Sequence, residues 1–389
     1  MWKYHRALSS LLLKQMTSNR KPAGLYIHIP FCKTKCPYCD FYSITDQTAK
    51  DRFLTALKRE IALYRTAFPR FDSLYFGGGT PSVINEEAFT DIFTALRVSF
   101  SFLPDTEITV EMNPDDVTTE KLECYRTLGV NRISLGVQSL NNAELAFLKR
   151  RHTAEGARKA LRLIWKQGFK NFAIDLMNSF PGQTEKQWSA TLKEALSYRP
   201  THVSCYQLTV ADHTVFGEMA REGKFTLPSE QKQKKIFFST SRFLQEQGFI
   251  HYEVSNFAHG RKFRSRHNLK YWCHTPYLGL GPAAHSFHDN RRWWNVRSVD
   301  QYCTSLENNK KPVEETEYLS PEQLGMEKLL LGMRNLEGTA ISEITDIPFC
   351  KDQLKKLVSK KIVQLQSGKI VPTIRGYLIA DRLPLLLLR

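Results

Sequence analysis

Cys32, Cys36 and Cys39 crowd into the stretch "HIPFCKTKCPYCDFYS", whereas the other five of the eight cysteines are scattered singly. An odd number of thiols does not make a disulfide framework, and a zinc site ordinarily takes four protein ligands. Three thiolates on one short loop suit a centre that takes three donors from the protein and leaves one position open. Iron–sulfur clusters are held by such thiolates, normally four for a 4Fe–4S cluster. A zinc site completed by His28 or by a distant cysteine is the competing reading.

What must position these thiols is visible in the alternation around them. Strand-like runs at Gly24–Ile29, Asp72–Phe76, Thr106–Glu111, Asn131–Gly136, Asn171–Met177 and Thr201–Leu208 alternate with amphipathic runs. The latter, at Thr48–Thr66, Glu86–Phe100, Thr118–Leu128, Thr153–Gln167 and Thr184–Ser197, predict helices, with Thr118 and the "GQTEKQW" segment as N-terminal signals. Repeated βα units imply a parallel sheet, because parallel strands need crossover connections. Six units close partly into a barrel, and such barrels carry their chemistry at the C-terminal strand ends. The unusual residues fall there in turn: the cysteine triplet, then "YFGGGTPS", then "VEMNPD" with Glu111, "SLGVQS" with Gln138, and "AIDLMNSFPGQT" with Asp175. A Gly-rich turn alone is usually only a tight turn; five such features in register point to one site.

The C-x3-C-x2-C spacing after a strand, followed by the Gly-rich turn of the second strand, resembles the radical S-adenosylmethionine (SAM) superfamily. There the amino and carboxylate groups of SAM bind the open iron of a 4Fe–4S cluster. "LYIHIPFC", "GGGTPS", "NPD", "GVQS", "RRH", "PGQT", "YEVSNFA" and "HNLKYW" more narrowly resemble the HemW heme chaperones, relatives of oxygen-independent coproporphyrinogen III oxidase, over about residues 22–385. In oxidases of that kind the triplet extends to a fourth cysteine at the position of Phe41, and "HNLKYW" (His267–Trp272) is typical of the chaperone branch.

The resemblance implies an α/β fold: a partial (β/α)6 radical SAM barrel with a C-terminal α+β region. It implies Cys32, Cys36 and Cys39 as cluster ligands. It also implies that Tyr26, Gly78, Gly79, Thr80, Glu111, Gln138, Arg150 and Asp175 contact SAM, some of them at a second SAM position in the oxidases. Glu111 would accept hydrogen bonds from the ribose hydroxyls. Two residues depart from the family pattern: Lys149 and Ser179 stand where glycines are usual, at loops beside the nucleotide site.

Beyond the barrel the texture changes. Residues 223–315 form an aromatic and basic extension carrying "HNLKYW", and 316–389 read as a helical, winged-helix-like domain with a hairpin in "SGKIVPTIRGYLIA". Trp272, Trp293, Trp294 and nearby histidines could line a porphyrin surface. His267 is the candidate heme ligand, with a structural role closing the barrel as its alternative.

The chain has 389 residues, a formal net charge of +16, 42% hydrophobic and 24% charged residues, the profile of an ordinary globular protein. Its cysteine usage does not fit a secreted disulfide scaffold, and no apolar run reaches the ~20 residues that span a bilayer. Residues 1–21 form a basic arm without acids, compatible with a mitochondrial transit peptide or with a plain basic N-terminus. The expectation is a cytoplasmic protein, with peripheral membrane contact or a mitochondrial location as alternatives.

Two functions compete. In the first the chain binds heme and passes it to acceptor proteins, with the cluster and SAM as structural or regulatory partners. In the second it is an enzyme: a reduced cluster and SAM generate a 5′-deoxyadenosyl radical that attacks a porphyrinogen propionate, with an electron donor as partner. Phe41 and "HNLKYW" favour the first. RNA modification, prompted by the charge, ranks last because no segment resembles an RNA-binding module, and nucleic acid is not an expected partner.

Overall fold

The structure, a computed structural model, describes residues 21–348 and 350–388; the basic segment expected to form an N-terminal arm lies outside them, apart from Lys21. Six strands follow in chain order, β1 (Ala23–Ile29), β2 (Phe71–Gly78), β3 (Phe102–Met112), β4 (Arg132–Gln138), β5 (Phe172–Asn178) and β6 (His202–Gln207). They pair side by side, all parallel. Between them run helices Lys50–Leu63, Glu86–Ser99, Thr119–Thr127, Ala154–Lys166 and Glu185–Ser197. Local chemistry starts several of them. The Thr118 hydroxyl accepts from the Lys121 N–H, and Thr184 with Gln187 forms a reciprocal capping box.

Side chains alternate across each strand, and here the two faces differ in kind. One face is apolar and fully buried under the helices, with Leu25, Ile27, Leu74, Val110, Ile133 and Ile174 among its members. The other carries Tyr26, Tyr75, Glu111, Ser134, Asp175 and Ser204. Register brings these into neighbouring rows, because Tyr26 pairs with Tyr75, Glu111 with Ser134, and Asp175 with Ser204. A parallel sheet with one polar face has a ligand to bury, since polar groups without partners are costly inside.

The sheet does not end at the barrel. After β7 (Ile250–His251) and β8 (Asn256–Ala258), which continue the sheet past β6 in the order β6-β8-β7, the strands β9 (Tyr277–Leu280), β10 (His285–His288), β11 (Arg291–Asn295) and β12 (Val313–Tyr318) extend the other edge. Of these, β9 pairs parallel with β1 and the rest are antiparallel, giving a sheet of twelve strands. The aromatic and basic extension is thus continuous with β1. Buried Glu60 stitches it to the first helix, accepting from the Gly281 N–H (2.8 Å), the Asn295 amide (2.6 Å) and the Tyr302 hydroxyl (2.6 Å).

A second, smaller sheet holds β13 (Thr339–Ala340), β14 (Val363–Gln366) and β15 (Lys369–Pro372). It shares a separate apolar cluster with helices Pro321–Gly332 and Lys351–Ser359, including Leu329, Leu354 and Ile370. The apolar C-terminal run becomes a short helix, Leu383–Leu387, whose first and last residues are fully buried in that cluster. Among the described residues no helix is long and apolar enough to cross a membrane.

Candidate functional site

The C-terminal ends of β1 to β6 surround a cavity of about 540 Å3. Its wall includes all three clustered cysteines, together with Gly78, Gly79, Thr80, Glu111, Gln138, Arg150 and Asp175. Ten of the eleven barrel residues expected from the sequence therefore meet in one place. Tyr26 is the exception: it packs against Tyr75 and His267 and lines a neighbouring cavity instead.

The cysteine loop leaves β1 and folds back through backbone bonds, Cys32 N–H to Ile44 O and Ile44 N–H to Pro30 O. All eight cysteines are free. Thr80 donates to the Cys32 sulfur at 3.4 Å, and the Arg150 guanidinium donates to the Cys36 sulfur at 3.3 Å. Arg150 also bonds the Gly136 carbonyl (3.0 Å) and the Asn113 side chain. Burial pushes the Cys39 thiol pKa up. Gly79 runs against the loop so closely that a Cβ there would lie 2.7 Å from the Phe31 carbonyl oxygen and 3.1 Å from the Cys32 sulfur. Gly78 has φ +105°, a conformation glycine adopts freely.

Deeper in, Glu111 accepts from the Tyr75 hydroxyl at 2.7 Å, and burial pushes its pKa up to about 7 despite that bond. Asp175 accepts from Ser204 (2.6 Å) and Ser134 (2.9 Å), and burial raises its pKa too. Between them stands Arg132, 1% exposed, whose Nε and Nη1 have no hydrogen-bond partner among the described residues. It is not among the residues that the sequence singles out. Its signal was a cation at the head of the otherwise uncharged run "NRISLGVQS".

These features fit an iron–sulfur cluster with a bound SAM. Three thiols share one wall beside a glycine cradle that a Cβ would fill, and an orphaned buried guanidinium invites an anionic or polar ligand atom. Completion of a zinc site by His28 finds no support in the geometry. His28 has both ring nitrogens engaged, with the Tyr26 hydroxyl (3.1 Å) and the Tyr42 carbonyl (2.9 Å).

The two residues standing where glycines are usual keep the glycine conformation: Lys149 has φ 50° and Ser179 φ 65°. Ser179 is held there by its N–H bond to Gln183 (2.8 Å), which in turn bonds Glu144 (2.8 Å).

His267 is placed differently from the expectation of a heme ligand. It is 1% exposed, with Nδ1 bonded to Ser73 (3.1 Å) and Nε2 to the Tyr271 hydroxyl (2.8 Å). Burial drops its pKa to about 3. No nitrogen lone pair is left for an iron. The structure makes His267 a packed support and brings its partner Tyr271, not the histidine itself, to a cavity wall.

Comparison with known proteins agrees with this geometry. The sequence profile of the Radical SAM superfamily matches residues 26–195. The chain is 34% identical over 337 residues to the heme chaperone HemW of Synechocystis, covering 84% of this chain and 81% of that one. It is 33% identical over 366 residues to the HemW of Lactococcus lactis, covering 92% and 95%. Among solved structures it is similar to the radical SAM enzyme coproporphyrinogen III oxidase (HemN) from Escherichia coli. The TM-score is 0.80 at 25% identity, over 95% of this chain and 90% of that one.

Proposed function

From the premise that this chain belongs to the HemW family of heme chaperones, with a radical SAM fold, we propose that it binds heme and delivers it to acceptor proteins. It does so while carrying a 4Fe–4S cluster and SAM. The observation that carries this reading is the similarity to heme chaperones over nine-tenths of the chain. Phe41 supports it: an exposed aromatic side chain stands on the cavity wall where the oxidase pattern calls for a fourth cysteine.

Cys32, Cys36 and Cys39 would hold three irons of the cluster, with the Arg150 guanidinium donating to the Cys36 sulfur. Gly78, Gly79 and Thr80 would let the backbone approach the SAM amino group. Glu111 and Asp175 would accept hydrogen bonds from the nucleoside, with Arg132, Arg150 and Gln138 closing the polar shell. When bound, the cluster and SAM supply one-electron chemistry; the chain's own residues would orient SAM.

The second reading, a coproporphyrinogen III oxidase, is favoured by the retained SAM-binding set and the likeness to HemN. It would need an electron donor. We place the protein in the cytoplasm. The basic C-terminal segment supports contact with an anionic membrane surface, and the basic residues 1–20 support a mitochondrial alternative. Of the division into residues 22–222, 223–315 and 316–389, the first two share one sheet, and the last boundary is better set after β12 (Val313–Tyr318). The test is transfer: protein reconstituted anaerobically and loaded with hemin is mixed with a heme-free acceptor apoprotein. Appearance of the acceptor's holo spectrum supports the reading, and failure to take up hemin at all would sink it.

A further inference from the structure

Beside the cysteine cavity lies a second one of about 450 Å3, within the ~300–1,000 Å3 of small-molecule sites. It opens over the sheet extension, between the ends of β1 and β9 to β11, and shares Asp40 and Phe41 with its neighbour. Its walls are aromatic: Tyr42, Tyr271, Tyr277 and Trp294 all reach it.

Two histidines line this space. His28 has both nitrogens engaged, as described. His285, at the start of β10, lies across the ladder from Trp294 and stacks on its ring at 5.6 Å and 25°. Neither of its nitrogens makes a hydrogen bond among the described residues, and its side chain is exposed to the cavity. Partial burial, then Arg292 and Arg297, hold its pKa below the ordinary value. The ring is thus neutral near pH 7, the form that ligates metals. Arg297 also lines the cavity and makes no ion pair among the described residues. The two carboxylates present are Asp40, already bonded to His213, and Glu314.

We propose that this cavity seats the heme, with His285 as an axial ligand, the aromatic walls against the macrocycle and Arg297 facing a propionate. The proposal rests on the heme-chaperone reading and assigns its site. It also gives "HNLKYW" a role: His267 fixes the Tyr271 wall through its 2.8 Å hydrogen bond and is a positioning residue, not the ligand.

The test uses the full-length, cluster-loaded protein titrated with hemin, followed by magnetic circular dichroism or resonance Raman spectroscopy of the bound heme. Wild type should show histidine ligation. His285→Ala and the closer-shaped His285→Gln should lose that signature and bind hemin at least about tenfold more weakly, with cluster iron unchanged. Arg297→Gln should weaken binding less, about threefold, and keep the signature. Hemin binding by both His285 variants with the wild-type spectrum would overturn the site while leaving the chaperone reading standing. No hemin binding by folded, cluster-loaded wild type would overturn both.

Discussion

The guanidinium of Arg150 lies 3.3 Å from the sulfur of Cys36 and is held there by the Gly136 carbonyl at 3.0 Å. A fixed cation at this distance offsets negative charge added on reduction. Arg150→Ala should leave iron content intact, move the cluster's reduction potential to more negative values, and weaken SAM binding. Protein-film voltammetry and SAM titration read the two effects separately. An apoprotein without iron would instead make Arg150 a structural residue.

Gly79 allows the second strand's turn to run under the cysteine loop. In Gly79→Ala the added Cβ would press on the Phe31 carbonyl at 2.7 Å and the Cys32 sulfur at 3.1 Å. The loop must shift, so the ~400 nm cluster absorbance per chain should fall by half or more (roughly) at unchanged far-ultraviolet circular dichroism. Full cluster occupancy in this variant would remove the close-approach argument.

Burial raises the Glu111 pKa to about 7. Between the unfolded carboxyl value and that figure, the folded state holds a proton that the unfolded chain has lost. Stability contributed by Glu111 therefore falls as pH rises through this window. SAM binding runs the other way, because the ribose hydroxyls need an ionised acceptor. Wild-type affinity should rise up to about tenfold between about pH 6 and pH 8, and Glu111→Gln should lose that part of the slope. Equal slopes in the two proteins would show that Glu111 does not meet SAM.

Lys149 and Ser179 occupy left-handed backbone at φ 50° and 65°, which disfavours residues with a Cβ by roughly 1 kcal/mol. Lys149→Gly and Ser179→Gly should each stabilise the fold by about that amount in denaturant titrations. Destabilisation by both would mean that the side chains contribute more than the backbone loses.

Much of the barrel was legible because it is periodic. The strand at β1 and the helices behind Thr153 and Thr184 start within two residues of where apolar spacing and capping residues place them. The cysteine loop and the strand-end motifs were legible because their residue types are rare. Other features were not. The strands β9 to β11 have four or five residues each, and nothing local in them says that β9 pairs with β1, some 250 residues earlier. The short helices Asn142–Phe147 and Val215–Arg221 carry too few turns to show a period. His267 was visible as a motif residue, but only the packing shows that Ser73 and Tyr271 consume its nitrogens. Nothing in the sequence shows that Arg132 is buried, with its Nε and Nη1 unpaired among the described residues.

We expect this chain to carry heme without turning over a porphyrinogen, and one sample tests both halves. Protein reconstituted anaerobically with its cluster is divided: one part is titrated with hemin, the other given coproporphyrinogen III, SAM and a reductant. The expected result is stoichiometric hemin uptake with no decarboxylated product above the cluster-free control. Sustained conversion of coproporphyrinogen III at the rate of an authentic oxidase, run in parallel, would contradict the account.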